Sequence, residues 1–212
     1  LTQKFARAAI GTNNISSFHY LGRGEGYAEI SEQNTPFEEL DQANKIIVFG
    51  TDLAKDHPLV GYMVNDAKGR HNATVEFVTN DVDSNMSHKA DKLIATDSYY
   101  YFAKAINYYL IKNNLQNGMF LNDHVDNFEA YKKQILSEDY NELLKKAGIN
   151  DVIEFEAFVK AYDITDKTVV IFSEKTVSAN TAYELKNMAM LSGKLGKIAN
   201  GIICLLYTSP SP

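Results

Sequence analysis

Four short apolar runs constrain the fold of this chain more than any other feature of its sequence. They are "KIIVFG" at 45–50, "TVEFVT" at 74–79, "KLIAT" at 92–96 and "TVVIFS" at 168–173. Runs of this length, rich in β-branched and aromatic residues, are typical of strands that are covered on both faces. Helical patterns separate the runs, and this alternation predicts an α/β fold built on a doubly wound, mostly parallel sheet.

The segments between the apolar runs have helical periodicity. "HPLVGYMVNDAKGR" places Leu59, Met63 and Ala67 on one stripe, with Asp56 as a candidate N-cap. "SYYYFAKAINYYLIKNN" predicts a second helix, and we interpret its tyrosines as packing groups rather than as a stacking platform. The pattern stays mostly helical up to residue 164, which predicts a helical excursion between the third and fourth strands.

Composition and charge argue against several classes of protein. The net charge is −6 and the 21 Lys and Arg residues are spread along the chain, so we expect no nucleic-acid partner. A single cysteine excludes an internal disulfide, a cysteine-rich zinc site and an iron–sulfur cluster within these residues. We see no apolar run long enough to span a bilayer and no secretory signal. We therefore expect a cytoplasmic location without membrane insertion, peripheral at most to a membrane complex.

The carboxyl-terminal residues "CLLYTSPSP", at 204–212, contain the single cysteine. They resemble the translation of an adapter used to build shotgun sequencing libraries, and they have no strand or helix periodicity. We therefore predict a native α/β domain at 1–203, followed at 204–212 by an adapter-derived tail outside the fold. The alternative is a disordered natural terminus rich in Ser and Pro.

The loops after the strands are the candidate ligand site, because open α/β sheets bind ligands beyond the carboxyl ends of their strands. The first such loop, "GTDLAKDHP", offers a glycine, short polar side chains and a histidine. Its glycine is equally compatible with a structural turn, and a lone histidine more often has a structural hydrogen bond. The predicted binding residues are Gly50, Thr51, Asp52, His57, Thr79, Thr96, Asp97 and Ser173. No catalytic or metal-ligating constellation is visible.

Four segments, in order across residues 4–203, resemble one known family. They are "KFARAAIGTNNI", "GTDLAKDHPLV", "KADKLI" and "AMLSGKLGKIANGI". Together they resemble the molybdopterin oxidoreductases, which include formate dehydrogenase and the large subunit of NADH-quinone oxidoreductase. The resemblance implies a bis-molybdopterin guanine dinucleotide cofactor and a four-domain chain. This fragment would cover the second domain and part of the third, with the iron–sulfur cluster upstream of it.

The chain departs from that family at positions that matter for the cofactor. Gly22 and Arg23 stand where formate dehydrogenases carry the molybdenum-ligating cysteine or selenocysteine and a histidine, and glycine has no donor atom. Asp52 replaces the asparagine of the family's G-S-N motif. The family's D-P-R motif becomes Thr79-Asn80-Asp81, so two added carboxylates would lie near a pyrophosphate.

The resemblance and the departures lead to two functional interpretations. The first is a fragment of a redox-enzyme large subunit, of the formate dehydrogenase or NADH dehydrogenase type, that takes part in electron transfer beside other domains or subunits. The alternative is a structural scaffold that has lost the cofactor within an NADH dehydrogenase or hydrogenase-like complex. The departures favour the scaffold for this domain, while the parent protein is expected to be an oxidoreductase.

Overall fold

Five parallel strands form a single sheet in the computed structural model, which describes residues 2–12, 27, 30, 33–82 and 87–205. The strands are β1 (Lys45–Phe49), β2 (Thr74–Thr79), β3 (Lys92–Ala95), β4 (Thr168–Ser173) and β5 (Gly201–Leu205). Their order is β3-β2-β1-β4-β5, and every neighbouring pair is parallel. The predicted doubly wound α/β fold is confirmed.

Helices connect the strands. The α-helices are α1 (Thr2–Phe5), α2 (Leu53–Asp56), α3 (Pro58–His71), α4 (Tyr99–Lys112), α5 (Gly118–His124), α6 (Phe128–Leu136), α7 (Tyr140–Lys146), α8 (Val152–Ile164) and α9 (Ala179–Leu191). Helices α4 to α8 lie between β3 and β4 and confirm the predicted excursion. A π-helix covers Ala6–Ile10, and 3₁₀ turns cover Phe37–Gln42 and Ser87–Lys89. No helix among the described residues is long and apolar enough to cross a membrane.

The carboxyl ends of the strands share one edge of the sheet, as predicted from Gly50, Thr79, Thr96 and Ser173. We call it the carboxyl edge, and the opposite edge the amino edge. Successive strands run outward from β1 to β3 on one side, whereas β4 and β5 lie on the other side. The chain therefore reverses direction across the sheet between β1 and β4, and the gap between their carboxyl ends is the topological switch point.

Each face of the sheet packs against its own layer. On one face, Phe49 and Phe172 pack under the helical excursion, where the rings of Phe102 and Phe155 meet edge to face at 5.2 Å. On the other face, Ile46 and neighbouring apolar residues pack under α3. Covering on both faces explains the continuous apolar runs of β1 and β4. Edge strand β3 differs, because its side chains alternate between half-buried and exposed.

Helix α3 differs from its prediction in its N-cap and first turn. Its N-cap is His57, without a side-chain capping bond, and Asp56 ends the preceding short helix. Leu59 is 72% exposed, whereas Val60 and Val64 are buried. Ala67 of the predicted stripe is buried and Met63 packs against the core, so the prediction of this stripe is wrong only at Leu59.

The strand β5 corrects the predicted domain boundary at 203. Cys204 and Leu205 are its last two residues and are buried in the core. The side chain of Asn34 accepts a hydrogen bond from the Cys204 N–H at 2.8 Å and donates one to the Cys204 carbonyl at 3.2 Å. A strand covered on both faces needs no alternating pattern, so the missing periodicity was no evidence against it. Residues 206–212 lie outside the described part, and the adapter origin stays a prediction.

Candidate cofactor-binding site

All eight predicted binding residues lie at the carboxyl edge, but the structure divides them into two groups. The switch-point group, between the ends of β1 and β4, contains Gly50, Thr51, Asp52, His57 and Ser173. The pocket group, at the ends of β2 and β3, contains Thr79, Thr96 and Asp97 and lines a cavity of about 460 Å³. The sequence placed these residues on one edge and did not show that they form two groups.

Two hydrogen bonds join the loops on either side of the switch point. The hydroxyls of Thr51 and Thr176 lie 3.2 Å apart, and His57 Nε2 lies 3.2 Å from Ser173 Oγ. Sequence analysis missed Thr176, because nothing in "FSEKTVS" distinguishes it from an ordinary turn residue. The switch point therefore brings together three hydroxyl groups and an imidazole.

Two of the carboxylates at the switch point have partners within the protein. Burial lowers the pKa of His57, against the opposing effect of Asp56, so the imidazole is neutral near pH 7. The Lys175 ammonium is paired with the Asp56 carboxylate. Asp52 caps α2 by accepting the Lys55 N–H at 3.2 Å, which offsets part of the negative charge that sequence analysis expected to oppose a phosphate.

The backbone turn at position 50 and the neighbouring Tyr99 explain why this residue is a glycine. Its φ is +62°, a left-handed conformation that favours glycine. A Cβ atom there would lie 2.5 Å from Tyr99 Cζ and 2.7 Å from Tyr99 Oη. The structural-turn interpretation therefore accounts for this glycine without a ligand.

The hydroxyls of the pocket group donate hydrogen bonds to backbone carbonyls. Thr79 Oγ1 donates to the Asp81 carbonyl at 3.0 Å, and Thr96 Oγ1 donates to the Ala147 carbonyl at 2.7 Å. Asp97 is exposed and lines the cavity. The other polar side chains lining the cavity are Asn80, Asn141, Lys145 and Asn150. Three of these come from the helical excursion, so no local sequence signal identified them.

The structure describes only some of the residues that the prediction on metal ligation concerns. In the described part, no group of three or more His, Cys, Asp and Glu side chains is arranged to hold a metal ion. The position of the family's molybdenum ligand, Gly22, and its neighbour Arg23 lie outside the described residues. The prediction that no side chain of this segment ligates molybdenum therefore stays a prediction.

Comparisons with known proteins find similarity to formate dehydrogenases. Formate dehydrogenase H of Escherichia coli (strain K12) is 26% identical, over 94% of this chain and 29% of the relative. The F420-dependent formate dehydrogenase subunit alpha of Methanocaldococcus jannaschii is 23% identical, over 95% of this chain and 31% of that protein. The chain thus spans less than a third of the length of these relatives. No family model matches the chain.

A solved structure supports the same fold. Acetylene hydratase from Pelobacter acetylenicus superposes with a TM-score of 0.58 over 81% of this chain and 23% of that chain, at 11% identity. With the curated relatives, this confirms the resemblance to the molybdopterin oxidoreductases. The similarity to formate dehydrogenases favours a fragment of a redox enzyme over the cofactor-less scaffold.

The polar groups of the carboxyl edge suit the hydrogen-bonding groups of a nucleotide. The switch-point hydroxyls and the neutral His57 can hydrogen-bond to ribose and phosphate oxygens. In the pocket, the Asp97 carboxylate and three asparagine amides suit the donors and acceptors of a base. The Lys145 ammonium, also at the cavity wall, adds a positive charge. The residues present therefore fit a nucleotide in hydrogen-bonding chemistry.

Proposed function

We propose that this chain is a segment of the large subunit of a molybdopterin-dependent redox enzyme of the formate dehydrogenase type. Its carboxyl edge would bind the guanine nucleotide end of the cofactor. The observation that carries the proposal is the meeting of two loops at the switch point, where Thr51 contacts Thr176 and His57 contacts Ser173. Open α/β sheets bind nucleotides at this position.

The two groups of residues have separate roles in this proposal. The pocket group receives the guanine nucleotide, with the Asp97 carboxylate accepting hydrogen bonds from the N–H groups of its base. The switch-point group binds phosphate and sugar oxygens of the part of the cofactor that extends beyond this nucleotide, through hydroxyl and imidazole hydrogen bonds. When bound, the cofactor supplies the molybdenum redox chemistry, and the residues of this segment bind and orient it.

The parent protein is proposed to be a subunit of a redox complex. One relative is by name a subunit alpha, which supports partners among other domains or subunits. Iron–sulfur clusters are expected only outside this segment. An NADH dehydrogenase type of parent stays a second prediction from the sequence motifs, and formate as substrate rests on the names of the relatives.

A titration of the 212-residue chain with guanosine diphosphate tests the nucleotide site. Isothermal titration calorimetry should show saturable binding, with adenosine diphosphate binding more weakly. Asp97→Asn should weaken binding of guanosine diphosphate by about tenfold, because a charge-assisted hydrogen bond becomes a neutral one. Asp123→Asn, which changes an exposed aspartate on α5, is the matched control and should bind as the unaltered chain does.

Either of two results would contradict the proposal. One is the absence of guanosine diphosphate binding at millimolar ligand, and the other is equal binding of the two nucleotides with no effect of Asp97→Asn. Molybdenum and pterin analysis of the full-length parent protein separates the remaining interpretations. Near-stoichiometric cofactor supports the redox enzyme, whereas absence of both in a folded protein supports the scaffold.

A further inference from the structure

Tyr99 lies across the carboxyl edge between the two groups of site residues. It is the first residue of α4, shortly after the end of β3. Its hydroxyl donates to Asn80 Oδ1 at 2.8 Å and accepts the Asn80 N–H at 3.0 Å, just beyond the end of β2. Its ring covers Gly50, at the end of β1. One side chain thus reaches from the end of β3 over the ends of β2 and β1.

This position separates the pocket from the switch point. Asn80 lines the cavity at the ends of β2 and β3 and holds the Tyr99 hydroxyl. On the other side, the ring takes the space above Gly50 that a ligand would need in order to contact the backbone there. A molecule that extends from the pocket to Thr51 or Ser173 would have to cross the place that the ring occupies.

We propose that Tyr99 determines which ligands the carboxyl edge admits. With the ring over Gly50, the pocket receives a single compact guanine nucleotide. A ligand that extends to the switch point is admitted only after Tyr99 leaves Gly50 and breaks both hydrogen bonds with Asn80. This inference rests on the proposed nucleotide site and adds to it the residue that selects between short and extended ligands.

The contacts of Tyr99 suit a side chain that can be displaced. Tyr99 is only half-buried, and Asn80 is exposed, so water can replace both hydrogen bonds when the ring moves. Gly50 has no side chain to obstruct that movement. The phenol therefore packs against the core without being enclosed in it.

Two guanine ligands of different length test the proposal. Guanosine diphosphate represents the compact ligand, and diguanosine triphosphate represents the extended one. In the 212-residue chain, we expect guanosine diphosphate to bind about tenfold more tightly than diguanosine triphosphate in calorimetry. Tyr99→Ala should raise the affinity for the extended ligand, so that the two affinities differ by no more than about threefold. Tyr99→Phe, which keeps the ring and loses the hydrogen bonds, should give an intermediate ratio.

Tyr62→Ala is the matched control, because Tyr62 is an exposed tyrosine on α3. It should leave the ratio of the two affinities unchanged. Circular dichroism and thermal unfolding establish that each variant is folded. If Tyr99→Ala does not fold, Tyr99→Phe alone decides the proposal, since it removes only the hydroxyl.

A second measurement follows the Tyr99–Asn80 contact without any ligand. Amide hydrogen exchange by NMR should show the Asn80 N–H protected in the unaltered chain and exchanging about tenfold faster in Tyr99→Phe. Equal exchange in the two proteins would overturn the proposed closure.

The binding outcomes separate failure of this inference from failure of the proposed function. If guanosine diphosphate binds, and the two ligands bind equally in the unaltered chain and in both Tyr99 variants, the selection by Tyr99 is overturned alone. If neither ligand binds any of these proteins, the nucleotide site is overturned, and the inference with it.

Discussion

The two edges of the sheet use their polar groups differently. At the amino edge, Lys45 Nζ pairs with Glu76 Oε1 at 2.9 Å, and both side chains are buried. At the carboxyl edge, Asp97 is exposed and His57 is half-buried. Burying a charged pair is favourable only when the geometry is good, whereas exposed polar groups can exchange water for a ligand. The amino edge therefore holds the strands, and the carboxyl edge is available for binding.

Other contacts at the amino edge support this contrast. The Thr168 N–H donates to Asn200 Oδ1 at 2.9 Å, which ties β4 to the residue before β5. The Lys194 ammonium donates to the Thr165 carbonyl at 2.6 Å, just after α8. These bonds join segments that are distant in sequence and hold them together at the amino ends of β4 and β5. Substitutions at the two edges should consequently affect different properties of the protein.

Removing one charge of the amino-edge pair should have the largest effect. Lys45→Met leaves the Glu76 carboxylate buried without its cation, which we expect to lower the free energy of unfolding by about 3–5 kcal/mol. Urea unfolding at pH 7 measures the loss. The double variant Lys45→Met/Glu76→Met should recover most of it, because both buried charges are then replaced by apolar groups.

The exposed ion pair of α3 is the control for this experiment. Arg70 Nε lies 2.9 Å from Asp66 Oδ1, but the Arg70 side chain is 72% exposed. Arg70→Met should therefore cost no more than about 0.5 kcal/mol. If Lys45→Met costs as little as Arg70→Met, the amino edge does not have the structural role described above.

Substitution at the carboxyl edge should cost less. Gly50→Ala forces a left-handed backbone onto alanine and pushes its Cβ into the Tyr99 ring. We expect a loss of about 1–3 kcal/mol in the free energy of unfolding. In the double variant Gly50→Ala/Tyr99→Ala, the part of this loss that comes from the clash between the added Cβ and the Tyr99 ring should be recovered. A double-mutant cycle measures that part.

Gly69→Ala is the control for Gly50→Ala, because it makes the same change of residue at a position without a neighbouring side chain. Gly69 lies within α3, and nothing is within 4 Å of its added Cβ. Alanine there should raise stability by roughly 0.5–1 kcal/mol, since glycine is unfavourable inside a helix. A similar loss in Gly50→Ala and in Gly69→Ala would contradict the role assigned to Tyr99 over Gly50.

Cys204 tests how far the closed core reaches toward the carboxyl edge. Burial raises the pKa of the Cys204 thiol to about 12, so almost no thiolate forms at pH 8. Ellman's reagent should leave the folded chain unmodified and react stoichiometrically in urea. Cys204→Ala should cost about 1 kcal/mol, because a small buried group is removed. Rapid labelling of the folded chain would instead support a fold that ends at residue 203.

Elements that depend on neighbouring residues could be predicted from the sequence. Contacts between segments that are distant in the sequence could not. The runs of β1, β2 and β4 were recognisable because burial on both faces leaves a continuous apolar signal. Strand β5 was missed, since its last residues were interpreted as part of a foreign tail. At the site, position after a strand identified Thr51 and Asp97 as candidates. Lys145 could not be found in this way, because a helix from the excursion brings it to the pocket.

The smallest expected effect is a pH dependence that comes from His57. Its pKa in the folded chain is lowered, mainly by burial, so the unfolded chain binds more protons as the pH falls. The contribution of neutral His57 to stability is therefore complete above the unfolded pKa of about 6.5 and is lost as the pH falls through the lower folded value. Urea unfolding at pH 7.5, 6.5 and 5.5 should show the unaltered chain losing stability relative to His57→Gln.

His71→Gln, which changes an exposed histidine at the end of α3, is the control for removing a histidine. The stability difference between the unaltered chain and His57→Gln should shrink on acidification, because glutamine does not titrate. A difference that instead grows toward pH 5.5 would mean that His57 gains a proton favourably in the folded state. That result would place net negative charge at the switch point and oppose a phosphate there. It would also remove the contrast between an amino edge that holds the strands and a carboxyl edge that is available for binding.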